Sequence, residues 1–78
     1  MSFFKIGKYE VRAWEFISSG PKGLGYSGRW SVTDPSVSGE PVDDGECPIE
    51  RSIAGEALDD AKVAGRAAAE ALIAQDGG

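Results

Sequence analysis

The chain has 78 residues, a formal net charge of −5, a single cysteine and no histidine. Those values exclude an internal disulfide, a Ser-His or Cys-His nucleophile pair and the usual Cys/His zinc site. A chain of this size buries only about 60% of the surface its unfolded form exposes, so residues 1–78 are expected to form one small domain. Apolar stretches fall far short of the roughly 18 residues of a membrane span. Met1-Ser2-Phe3-Phe4-Lys5 lacks the charged region, apolar core and cleavage site of a signal peptide. The reading is a cytoplasmic protein without membrane contact.

Charge is spread unevenly. Residues 1–33 hold five basic and two acidic groups, residues 34–60 hold nine acids against Arg51, and residues 61–78 hold two of each. A negative middle segment repels nucleic-acid phosphates, which disfavours direct nucleic-acid binding. The same charges would also serve simply to keep a small domain soluble.

The first strand is expected over residues 8–17. Tyr9, Val11 and Ala13 alternate with Lys8, Glu10 and Arg12, and the phase then changes because Trp14 and Phe16 have the opposite parity. That change predicts a bulge, or a strand end whose aromatics cover a different surface and lie exposed if Tyr9 and Val11 face the helix. Ser18 to Gly25 is rich in turn formers and reads as a mobile hairpin loop. The second strand, 26–33, alternates cleanly: Tyr26, Gly28, Trp30 and Val32 on one face, Ser27, Arg29, Ser31 and Thr33 on the other. Residues 34–48 read as an acidic loop. A short third strand is expected at 49–53, where Pro48 admits it only at its start or on an edge.

Helical period begins near Ala57 and predicts a helix over 57–75. Leu58, Ala61, Gly65, Ala68 and Leu72 form one stripe, widened by Ala57 and Ala64, with Asp59, Lys62, Arg66 and Glu70 opposite. A stripe of Ala and Gly has few methylenes to bury, so the helix must lie close to a sheet that provides the bulk. The core is expected to draw on Tyr9, Trp14, Phe16, Tyr26 and Trp30, with Val11, Ile17, Val32, Ile49, Ile53, Leu58, Leu72 and Ile73. The fold class is α+β: a three-stranded antiparallel sheet packed against one C-terminal helix.

Gly23-Leu24-Gly25-Tyr26-Ser27-Gly28 spells G-x-G-x-x-G, but a strand follows it rather than a helix, so it reads as a hairpin turn. Asp43-Asp44-Gly45-Glu46 fails the register of a calcium loop. Cys47 stands beside Glu46, whose charge raises the thiol pKa, the wrong direction for a nucleophile. The terminal Gly77-Gly78 reads as a frayed end. No cofactor, metal or catalytic residue is assigned, and the expectation is a protein that is not an enzyme.

Two stretches carry a family resemblance. Ile53-Ala54-Gly55-Glu56-Ala57-Leu58-Asp59-Asp60-Ala61 is similar to the passage that opens the helix of HicB-type antitoxin domains. Gly28-Arg29-Trp30-Ser31-Val32-Thr33-Asp34-Pro35 resembles that family's second strand and its proline. The resemblance covers about half the chain and implies neutralisation of a partner protein. Ala57 stands where the family has a Thr cap, and no DNA-binding segment follows the helix. Double-stranded-RNA-binding domains share the layout, but Glu56, Asp59 and Asp60 stand where their helix is Lys-rich.

The functional expectation is a protein-binding module, a small acidic inhibitor or antitoxin-like protein. Its partner would be a basic, nucleic-acid-binding protein, engaged as some phage-encoded inhibitors of CRISPR complexes engage theirs. Trp14 and Phe16 are the candidate apolar contacts, with Glu40, Asp43, Asp44, Glu46 and Glu50 as candidate charged ones. The alternative is a nucleic-acid- or small-ligand-binding domain using Lys5, Lys8, Arg12, Lys22 and Arg29. An exposed edge strand would also support a homodimer.

Overall fold

The computed structural model describes residues 1–20, 23–37 and 39–77, without the side chains of residues 19, 20, 23, 24, 76 and 77. Four strands run in the order β1 (Ser2–Ile6), β2 (Tyr9–Gly20), β3 (Gly23–Thr33) and β4 (Asp43–Glu46), followed by one helix, α1 (Ala54–Gly77). The strands form one antiparallel sheet in sequence order. The helix lies across one face of it, as an α+β layer pair requires. Among the described residues, no helix is long and apolar enough to cross a membrane.

Inward-facing positions follow the expected parity in the central hairpin. Tyr9, Val11, Ala13 and Val32 are buried, and Phe4, Ile6, Trp30, Ala68 and Leu72 pack around the cluster. The helix buries Ala57, Ala61, Gly65 and Ala69, four residues apart, flanked by half-buried Leu58, Ala64, Ala68 and Leu72. Small residues let the two backbones approach closely. A methyl group added at Gly28 would overlap the Ala57 carbonyl oxygen and lie 2.9 Å from the Ala61 methyl. One added at Gly65 would come within 2.6 Å of Val11 Cγ1 and 3.3 Å of Trp30 Cβ. Gly65 thus accommodates Val11 as well as the stem of an aromatic side chain.

Several expectations need correction. β1 was not anticipated: Phe3 and Phe4 are adjacent, so the segment shows no alternation, and only the two-residue Gly7-Lys8 turn signals a hairpin. Gly7 takes a φ of 59°, which suits glycine at the first central position of a type II′ turn. No bulge marks the phase change in β2. Its register with β3 runs unbroken from Glu10 opposite Thr33 to Gly20 opposite Gly23, so Trp14 and Phe16 simply face away from the helix. The stretch Ser18–Gly25 is paired strand rather than loop, with only Pro21 and Lys22 lying outside the described residues. The G-x-G-x-x-G spelling therefore lies within β3, where Gly28 serves close packing beneath the helix.

The third strand is displaced. It forms at Asp43–Glu46, within the supposed acidic loop, and residues 49–53 contribute only an isolated bridge between Arg51 and Tyr26. Acidic residues are poor strand formers, but on an edge their carboxylates stay in water while the backbone pairs with β3. Gly45 permits this, since a methyl there would lie 2.6 Å from the Trp30 ring. Cys47 N–H still donates to the Gly28 carbonyl at 2.8 Å, one position beyond the named strand. The ladder resumes at Arg51, which exchanges two 2.7 Å bonds with Tyr26.

The helix begins three residues earlier than its period suggests, with Glu56 and Ala57 N–H both donating to the Ile53 carbonyl. Several expected core residues are exposed: Ile17 (66%), Ile49 (50%), Ile53 (59%) and Ile73 (39%). The β2–β3 ribbon extends past the first turn of α1, so Ile17 has no layer above it. Trp14 and Phe16 are half-buried on the far face and do not belong to the core beneath the helix.

Because the Gly28 contact is backbone against backbone, Gly28→Ala should lower the unfolding free energy by about 1–3 kcal/mol in urea titration. Gly55→Ala, where an added methyl meets nothing within 4 Å, should cause no loss.

Candidate functional site

Register places the side chains of the uncovered sheet face. Phe3 lies opposite Arg12, Lys5 opposite Glu10, Trp14 opposite Arg29, and Phe16 opposite Ser27. On the β4 side, Glu46 lies opposite Arg29 and Asp44 opposite Ser31. All of these have the parity opposite to Val11, Ala13 and Val32, so they share the face that α1 leaves open. Phe3 is 52% exposed, Trp14 and Phe16 are half-buried, and the Arg12 guanidinium stacks 5.7 Å from the Phe3 ring centroid. Small Ser27 and Ser31 are buried between these longer neighbours.

Glu50 reaches the same face from the segment after β4. It lies across Gly25, where an added methyl would come 2.5 Å from its Cγ, and accepts a 3.3 Å hydrogen bond from Ser18 Oγ. The segment is tied down by Arg51. Its Nε donates to Asp60 Oδ2 at 2.7 Å and its Nη2 to Oδ1 at 3.1 Å, a bidentate pair joining the edge to the helix. The guanidinium's hydrogen bonds hold the Asp60 carboxyl below the usual aspartate range, against the opposing effect of desolvation.

Of the seven expected contact residues, five share this face: Trp14, Phe16, Asp44, Glu46 and Glu50. Glu40 is exposed in the loop before β4. Asp43 lies opposite Val32, so it has the parity of the helix side. Phe3 was missed, because its parity becomes informative only once β1 is known to pair with β2.

Three basic residues of the alternative reading share the open face with acidic neighbours, and a fourth lies in the β1–β2 turn. Lys8 sits in the β1–β2 turn, with Nζ 3.7 Å from Asp34 Oδ2 and 5.3 Å from the Tyr9 ring centroid. Lys5, Arg12 and Arg29 stand on the open face among Glu10 and Glu46, and Lys22 lies outside the described residues. Asp34 also accepts from Ser36 Oγ at 2.6 Å and Ser36 N–H at 3.0 Å, and these bonds lower its pKa.

Cys47 is buried. Burial is the first cause pushing its thiol up, ahead of the charges of Asp60 and Glu46, which revises the weight given to its sequence neighbour. Among the described residues, no three His, Cys, Asp or Glu side chains converge as metal ligands. Compared with known family models, curated proteins and solved structures, the chain matches none.

The folded Asp60 carboxyl lies below its unfolded value of about 3.9, so the stability it adds is present above that value and lost as pH falls through the folded one. Asp60→Asn should therefore unfold at lower urea than the parent at pH 7. The gap between the two should close as pH drops below about 4, read by fluorescence-monitored urea titration.

Proposed function

We propose that the open sheet face is a protein-binding surface and that the chain works as a small acidic inhibitor or antitoxin-like module rather than as an enzyme. The observation that carries this reading is the gathering of Phe3, Trp14 and Phe16 on a face that, among the described residues, no element covers, bounded on one side by Asp44, Glu46 and Glu50. Aromatic side chains at the centre of a surface, ringed by polar groups, are the usual anchors of protein association. The acidic side selects a partner with an apolar patch flanked by lysine or arginine, including proteins whose basic surface otherwise meets nucleic acid. The HicB resemblance, which implies neutralisation of a partner protein, agrees with such a role.

The charge layout divides the work. Aromatic anchors set affinity through desolvation. The carboxylates steer encounter and make it salt-dependent. Arg12, stacked over Phe3, holds that anchor in place.

Capture from the native host, followed by titration of the isolated partner, tests this. Trp14→Ala/Phe16→Ala should weaken binding by roughly 30-fold or more, as for hot-spot aromatics. Asp44→Lys/Glu46→Lys should slow association and flatten its salt dependence. A partner that binds both double variants as tightly as the parent, or one whose own surface is acidic, overturns the reading.

A further inference from the structure

The second uncovered surface is the β1 edge. Its type II′ hairpin makes Ile6 and Tyr9 a pair that exchanges both ladder bonds, and bonded pairs alternate from there. Ser2, Phe4 and Ile6 thus direct their backbone N–H and C=O toward β2, whereas Phe3 and Lys5 direct theirs outward. Beside this edge, between β1 and α1, lies a groove of about 490 Å³ lined by Ser2, Phe4, Asp59, Lys62, Val63 and Arg66. Val63 is 70% exposed, and Arg66 stacks 5.6 Å from the Phe4 ring centroid.

We propose that β1 pairs antiparallel with β1 of a second copy of the chain, about a two-fold axis through Phe4, giving a continuous eight-stranded sheet with both helices on one face. The outward backbone groups belong to Phe3 and Lys5, which are symmetric about Phe4. The axis therefore sets Phe3 of each copy opposite Lys5 of the other and satisfies every outward group between them. The side chains are self-complementary in the same register. On the open face each exposed Phe3 ring meets a lysine ammonium, a cation–aromatic pair formed twice. On the helix face Phe4 and Ile6 of the second copy cover the apolar floor of the groove.

Charge separates this edge from the opposite one. The β4 edge, Asp43-Asp44-Gly45-Glu46, would bring carboxylates against carboxylates in any self-pairing, while β1 carries no acid. A closed two-fold dimer also hides the edge that would otherwise template open-ended association. The pairing draws on Phe3, one of the three aromatic residues of the open face, and leaves Trp14 and Phe16 for a partner. It would set two such faces side by side, with their acidic edges outermost.

Sedimentation velocity of the full chain over about 1 µM to 1 mM, spanning moderate to weak affinities, should show a monomer–dimer equilibrium. Lys5→Pro removes an outward N–H without touching the β2 ladder and should abolish the dimer while leaving the far-UV spectrum intact. Phe3→Lys sets like charges opposite each other twice and should weaken association roughly tenfold or more. A chain that stays monomeric throughout this range, or a dimer that survives both substitutions, overturns the proposal.

Discussion

The close seating of α1 on the central hairpin is the contact on which the rest of the molecule depends. Ala57, Ala61, Gly65 and Ala69 present almost no side chain, so the helix backbone sits directly above Gly28, Val11 and the stem of Trp30. Dispersion and apolar burial then come mainly from the sheet side, from Tyr9, Val11, Val32 and Trp30, with β1 adding Phe4 and Ile6. A thin helix of this kind covers β2 and β3 well and only borders the two edges. Its slimness leaves the β1 groove open.

One helix can cover one face. The aromatic residues of opposite parity in β2 therefore have no layer above them, and the sheet's own register gathers them with Phe3 into a strip. The acidic segment after β3 is carried to the border of that strip by edge pairing, by the Trp30 ring lying across Gly45 and by the Arg51–Asp60 clamp. Asp44 and Glu46 are thus carried by contacts that do not involve their carboxylates, while Glu50 accepts from Ser18 Oγ, and all three face the open side.

Particular elements show how far pattern reading reaches. The strand at residues 26–33 and the helical stripe were legible because their alternation and period are uninterrupted. The change of parity after Ala13 was legible too, with two meanings, a bulge or aromatics turned to a different surface. A strand whose two faces are both apolar near its middle looks the same in sequence as a bulged strand, and only the unbroken pairing with β3 distinguishes them. The β4 strand left no local signal, because Asp and Glu disfavour strands and the stability of this one comes from a neighbour. Phe3 was hidden by the adjacent Phe4, and the isoleucines at 17, 49 and 53 looked like core because hydrophobicity alone does not reveal where a covering layer ends.

By itself the sequence determined the fold class, the central hairpin's inward face and the helix that must lie close to it, since these follow from periodicity and side-chain size within continuous segments. Tertiary structure alone decided which edge segment pairs, which acids share a face with Trp14 and Phe16, and which surfaces stay uncovered. Those outcomes depend on contacts between residues far apart in the chain, where Gly45 meets Trp30, Arg51 meets Asp60 and Glu50 crosses Gly25, and no local pattern encodes such meetings.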